Sequence, residues 1–368
     1  MPRELEPERG ERQPVRGRSV LLALGTVVFC LAGQSTVVAQ WTIQDAGWRA
    51  RFRGLHVVDG QTAWATGSAG TIVRTTDGGR HWLRRPVALP GAGEDDFRDV
   101  HAPDDRAALV LAVGPGPRSR VLKTRDGGET WSVALRNPDE RGFFDAIAFW
   151  GRDRGLVQGD PVDGRFVIFS TRDAGSTWRR FESSGMPPAQ SGEGAFAASG
   201  TSLVVQGIDR GWFGTGGAAR SRVFRSDDGG TTWGATETPI DAGSPSAGIF
   251  SLAFRDALHG VAVGGDYRQP EKGGKVCART EDGGRTWTLP RGPEPRAFRS
   301  AVAYIPGSQP PTLIAVGPTG AEVSSDDGKS WKPLGSLGFH ATSFAGPEAG
   351  WAVGEDGRIG RFSAEYRR

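Results

Sequence analysis

Six aspartates are the first residues whose types and spacing could do chemistry. Asp77, Asp126, Asp173, Asp228, Asp282 and Asp326 each stand in one eight-residue phrase, Ser/Thr-any-Asp-any-Gly-any-any-Trp, first complete at Thr75-Thr76-Asp77-Gly78-Gly79-Arg80-His81-Trp82. The intervals between these aspartates are 49, 47, 55, 54 and 44 residues. A repeated carboxylate could ligate a metal or move a proton. The rest of the phrase gives it a structural task instead. Gly-Gly supplies positive φ in a tight hairpin turn. The carboxylate and the Ser/Thr hydroxyl can accept N–H groups of that turn. The Trp lays a large ring on the apolar face of the adjoining strands. Each copy can be satisfied locally, so the phrase is expected to build the fold rather than a site.

A second set is better suited to binding. Phe52-Arg53, Phe97-Arg98, Phe298-Arg299 and Phe339-His340 recur at the entrances of four repeats. Brought together, Arg53, Arg98, Arg299 and His340 would receive a carboxylate or phosphate, because a guanidinium offers paired N–H donors in a planar fork. The bland alternative is that they pair with Asp99, Asp145 or a neighbouring repeat and serve packing alone. Longer connections supply a further group: Asp160, Asp209, Arg210, Trp212, Asp266, Tyr267 and Arg268 are expected as a rim of loops. Asp160, Asp209 and Asp266 could offer oxygen ligands to Ca²⁺, although turn formation is the commoner use of such residues. No zinc spacing, nucleophile motif or phosphate loop is present, and no cofactor is expected.

The elements that must position these residues follow from the repeat, since a fixed period of this size signals a repeat architecture. Each repeat parses into short strands with alternating apolar and small residues bounded by Gly, as in Ala63-Trp64-Ala65-Thr66-Gly67 and Thr71-Ile72-Val73-Arg74-Thr75. Second strands number seven: the first closes on Thr66-Gly67 and the other six on Val-Gly or Gln-Gly, at Ala112-Val113-Gly114, Val157-Gln158-Gly159, Val205-Gln206-Gly207 and their counterparts. The seventh repeat lacks both the phrase and a fourth strand. Trp41-Thr42-Ile43-Gln44 matches the missing strand. An all-β, seven-bladed β-propeller of four-stranded blades is therefore expected, closed by the N-terminal strand pairing into the last blade. In that ring blades 6, 7, 1 and 2 are consecutive, which predicts that Arg299, His340, Arg53 and Arg98 form a basic arc at the channel mouth. The rim loops of blades 3 to 5 would face it. All of these lie on the face opposite the repeated phrase.

Residues 1–39 read as a signal peptide, with a long charged front, the apolar run Val20 to Gly33 and small residues for cleavage after Ala39. An uncleaved anchor is the alternative. Residues 40–368 then form the propeller. The cysteines are Cys30 and Cys277, so a cleaved chain has no internal disulfide. Net charge is +3, too small to argue for nucleic acid.

The phrases are Asp-box, or BNR, repeats. With strands such as Gly70 to Gly79 behind them, they resemble the photosystem II stability/assembly factor-like family. That resemblance implies an exported, non-catalytic propeller that binds a protein or pigment-protein partner, acting as a monomer and meeting a membrane only through its N-terminal segment or a membrane-bound partner. Sialidases also carry Asp boxes, and a sialidase-like glycoside hydrolase is the alternative. Their Arg-Ile-Pro signature is absent, and only Tyr267 falls where a catalytic tyrosine could serve.

Overall fold

The structure is a computed structural model and describes residues 36–367. The expected leader lies almost wholly outside the described residues. Seven antiparallel sheets follow one another along the chain. Blade 1 is Phe52–Val57, Ala63–Gly67, Thr71–Thr75 and Leu83–Arg84. Blade 2 is Asp96–His101, Ala108–Val113, Arg120–Thr124 and Ser132–Arg136. Blades 3, 4 and 6 repeat the pattern, while blade 5 keeps three strands, and its fourth is reduced to a bridge between Arg279 and Thr288. Among the described residues helix is confined to four short 3₁₀ turns.

The last blade closes the ring. Thr36–Asp45 pairs antiparallel with Arg358–Arg367, from Thr36↔Arg367 to Asp45↔Arg358. The expected cleavage point after Ala39 falls inside this strand. Gln44 fastens the seam: its Oε1 accepts the indole N–H of Trp351 at 2.9 Å and of Trp82 at 3.3 Å, and its Nε2 donates to Gly78 O at 3.1 Å. Replacing it by leucine strands two indole donors. Gln44→Leu is expected to lower stability by about 1–3 kcal/mol in a denaturation titration; an unchanged midpoint would mean that the seam does not depend on this side chain.

The Asp boxes are satisfied as local chemistry demands. In the first, Thr75 Oγ1 donates to Asp77 Oδ1 at 2.9 Å, Gly79 N–H donates to Thr75 Oγ1 at 2.8 Å, and His81 N–H donates to Asp77 Oδ1 at 3.0 Å. Gly78 and Gly79 have φ of 73° and 82°, as the turn requires. The same bonds recur around Asp126, Asp173, Asp228, Asp282 and Asp326. These hydrogen bonds hold Asp77, Asp126 and Asp173 well below the usual carboxylate range.

The core lies between blades. Trp351, Val353 and Ile359 of blade 7 pack with Leu55, Ala65 and Val73 of blade 1, and Trp212 and Val223 of blade 4 pack with Ile249, Leu252 and Trp287 of blade 5. On the Asp-box face, cationic side chains bridge neighbouring blades. Arg361 donates to Gly78 O at 2.8 Å, Lys123 to Ala174 O at 2.6 Å, and Arg154 to Ile208 O at 2.9 Å. Many of the chain's basic residues are thus committed to blade-to-blade contacts.

Candidate binding site at the upper channel mouth

The face opposite the Asp boxes carries the second-to-third and blade-to-blade connections. Three innermost strands change register there, between Phe52 and Gly54, Phe97 and Asp99, and Phe144 and Ala146. The extra residue of each bulge is Arg53, Arg98 or Asp145. A bulge bends the strand and re-aims its side chain, so three consecutive blades present Arg, Arg and Asp at the mouth. Blade 5 has the same irregularity between Ile249 and Ser251 and places Phe250 there. Phe250 stacks on Phe196 at 4.0 Å and meets Phe298 edge-on at 4.8 Å.

The two bulge arginines differ in their partners. Arg98 donates through Nε to Asp96 Oδ2 at 2.8 Å and through Nη1 to Ala197 O at 3.0 Å. Arg53 has no hydrogen-bond or ion-pair partner among the described residues, and its Nε is buried. Burial first, then Arg98 and Arg51, lower its pKa to about 10, which leaves it charged at neutrality. Nearby, Glu355 is already taken: it accepts Arg51 Nε at 3.0 Å and contacts His340 Nε2 at 2.7 Å.

The expected arc is narrower than the four residues proposed for it. Arg299 is 3% exposed and turns along blade 6 to Glu322 of the third strand, also 3% exposed. Its Nη2 donates to Glu322 Oε1 at 2.6 Å and its Nη1 to Thr319 Oγ1 at 3.0 Å. Arg299 lies ahead of the paired strand of blade 6, which begins at Ala301, and its N–H donates to Gly264 O of blade 5 at 3.1 Å. His340 stands near Arg53, but burial, then Arg53, lowers its pKa to about 4, so it is neutral where Arg53 is charged.

The rim also differs from expectation, most of all in blade 4. Its innermost strand is Leu203–Gln206 and its second is Arg210–Gly214. Val205-Gln206-Gly207 therefore ends the first strand, not the second. Trp212 is buried within a strand, stacked on Phe254 at 3.8 Å, with its indole N–H donating to Gly283 O at 2.8 Å. Asp209 and Arg210 sit at the first-to-second turn, on the Asp-box face, where Asp209 accepts Arg154 Nη2 at 2.7 Å and Arg210 lies 3.5 Å from Asp227. In blade 3 the strands run on as a hairpin to Val162↔Arg165. Asp160 is thus on a strand, accepting the Ala195 N–H at 2.9 Å. Asp266, Tyr267 and Arg268 occupy the blade 5 rim as expected: Asp266 Oδ1 accepts the Arg268 N–H at 2.9 Å, and Tyr267 is exposed. Asp209 is on the other face from Asp160 and Asp266, so the three cannot share a cation; among the described residues no acidic, His or Cys cluster could hold a metal ion.

The blade 3-to-4 connector, whose length marks residues 182–194 in the sequence as part of the rim, runs on past Gly194. Residues 194–200 run across the mouth. Gly194 bridges Gly216, which bridges Gly248. Ala195 binds Asp160, Phe196 stacks on Phe250, and Ala197 O accepts Arg98. A Cβ on Gly200 would lie 2.1 Å from Asp99 Oδ1, so only glycine fits that crossing. The signal available was the length of this connector. The mouth thus has a cationic side at Arg51, Arg53 and Arg98, a carboxyl side at Asp145 and Asp160, and an aromatic side at Phe196, Phe250 and Tyr267.

Seven antiparallel blades, six of them turned by Asp boxes, define a seven-bladed Asp-box β-propeller. No family model matches the chain. The chain is 25% identical over 314 residues to the photosystem II assembly lipoprotein Ycf48 of Picosynechococcus sp., a match spanning 73% of this chain and 84% of that protein. It is 24% identical over 241 residues to the photosystem II stability/assembly factor HCF136, chloroplastic, of Arabidopsis thaliana, covering 62% of this chain and 53% of that one. A solved structure of YCF48 bound to D1 peptide superposes with a TM-score of 0.61 over 88% of this chain and 95% of that chain, at 17% identity. The resemblance to the photosystem II stability/assembly factor-like propellers is thereby borne out, as is the propeller fold. Both curated relatives are named as assembly factors, which favours a binding propeller over a sialidase-like hydrolase.

Proposed function

We propose that this chain is an exported, non-catalytic propeller that captures a polypeptide partner at its upper mouth, with Arg53 receiving a carboxylate of that partner. The observation that carries this reading is the guanidinium of Arg53, charged, half-buried with its Nε sealed from water, and without a partner among the described residues. A half-buried cation with no bonded counter-ion is partly desolvated, and an incoming anion offsets that cost. Asp96 and Glu355 do not supply it, being engaged by Arg98 and by Arg51 with His340. The aromatic side of the mouth gives the partner apolar contact area beside its charged group. A polypeptide partner also accords with the YCF48 structure, which holds a D1 peptide. The propeller works as a monomer, exported by residues 1–39, and meets a membrane only through that segment or through a membrane-bound partner, which includes a pigment-bearing one.

Affinity capture from the organism's own envelope fraction tests this, comparing the full chain with Arg53→Gln. A hydrogen bond to a charged group contributes about 1.5–3 kcal/mol, so capture should weaken by about 10- to 150-fold. The melting temperature should hold or rise, because Arg53 crowds Arg51 and Arg98. Undiminished capture would remove Arg53 from the binding surface.

A further inference from the structure

Asp145 occupies the third bulge of the mouth, beside Arg98 of blade 2 and in the row that begins with Arg53, yet it is 1% exposed. Its Oδ2 receives one long bond, from Gln158 Nε2 at 3.4 Å. Its Oδ1 has no partner, and neither has the Oε1 of the fully buried Gln158. Two charged groups face it: Asp160 from the second strand of its own blade, which repels an ionised Asp145, and Arg98 from blade 2. Arg98 is committed to Asp96 and to Ala197 O. An ionised carboxylate here would be buried with one weak neutral donor, a like charge beside it and no dedicated cation. The two orphan oxygens become complementary only if one carries a proton. A carboxylic O–H on Asp145 can donate to Gln158 Oε1 while the Gln158 amide donates back, as an acid and an amide pair in a closed ring.

We propose that Asp145 is held as the neutral acid against Gln158, and that its ionisation switches off carboxylate capture at the mouth. This rests on the reading of Arg53 as the carboxylate receptor. Ionised Asp145 would put a negative charge in the same row as Arg53 and draw Arg98 away from Ala197 O, loosening the connector that crosses the mouth. Burial raises the pKa of Asp145 above the ordinary carboxylate range, and burial likewise raises Asp160 to about 6. The pair loses its protons in two coupled steps, so capture should be stronger at acid than at alkaline pH.

The variant that separates the outcomes is Asp145→Asn in the full chain. Its amide can donate to Gln158 Oε1 and accept from Nε2, preserving the ring without a proton to lose. Infrared difference spectra near pH 6 should show a protonated-carboxyl band in the wild type that Asp145→Asn removes; equal bands would overturn the assignment. The raised carboxyl contributes stability that is complete below the unfolded-state pKa and is lost as pH rises through the folded one. Asp145→Asn should therefore match the wild type in melting temperature at acid pH and exceed it above pH 8. A variant less stable at both would mean that the wild-type carboxylate is ionised and needed. Capture of an acetylated hexa-alanine with a free C-terminal carboxylate, with its amidated form as control, should fall at least tenfold in the wild type between pH 5.5 and 8.5 and much less in Asp145→Asn. Wild-type capture that is constant with pH overturns the switch. Absence of peptide capture at every pH removes the Arg53 reading, and the switch with it, while the infrared result still decides where the proton sits.

Discussion

Trp212→Ala is expected to destabilise the propeller by about 3–5 kcal/mol, as loss of a buried large aromatic does, and to lower the melting temperature by roughly 5–15 °C. Trp212 is wholly buried at the seam of blades 4 and 5. Three contacts are lost at once: the stack on Phe254 at 3.8 Å, the hydrogen bond to Gly283 O at 2.8 Å, and packing against Leu252 and Trp287. The seam has little means of collapsing into the cavity, because Trp212 lies between two sheets held by their own ladders. Partner capture per folded molecule should be unchanged. The opposite result, intact melting with lost capture, would place Trp212 on an exposed loop and overturn the strand assignment of blade 4. Calorimetry and capture on the same sample decide between them.

Arg299→Met should produce a loss of similar size. Removing one partner of a buried ion pair typically costs about 3–5 kcal/mol, because the remaining charge stays buried alone. Glu322 would keep only the Arg296 N–H, at 3.2 Å. The double variant Arg299→Met with Glu322→Leu should recover most of that loss, since an apolar pair of similar volume avoids both desolvation penalties. A double variant as unstable as the single one would mean that packing, not charge, holds this corner. Arg53→Gln stands in contrast: the same residue type after the same phenylalanine is expected to affect stability at one position and binding at the other.

That contrast shows where sequence reading stops. The Asp boxes were legible because each is closed by bonds within a few residues of chain, so Thr75, Asp77, Gly79 and their counterparts carry their own explanation. The ring was legible for a related reason. Strand alternation gives the blades, and the missing seventh phrase, together with Trp41 to Gln44, marks the closure that Thr36–Asp45 makes with Arg358–Arg367. Blade 4 was misread because Val205-Gln206-Gly207 imitates a second-strand ending. A shift by one strand exchanges the two faces of a blade, which carried Asp209 and Arg210 to the Asp-box side and Trp212 into the core.

The sequence by itself determined the architecture and the face on which a site could lie, because both follow from local turn chemistry and from the period of apolar residues. Only the tertiary structure decided which side chains face the mouth. Phe52-Arg53, Phe97-Arg98, Phe144-Asp145 and Phe298-Arg299 look alike as text. The register shift of the first three strands turns Arg53, Arg98 and Asp145 inward, while Arg299 lies ahead of the paired strand of blade 6 and turns to Glu322. A bulge depends on how a strand meets its partner across the sheet, and an ion pair such as Arg299 with Glu322 depends on a residue far along the chain. Neither is written in the spacing of neighbours.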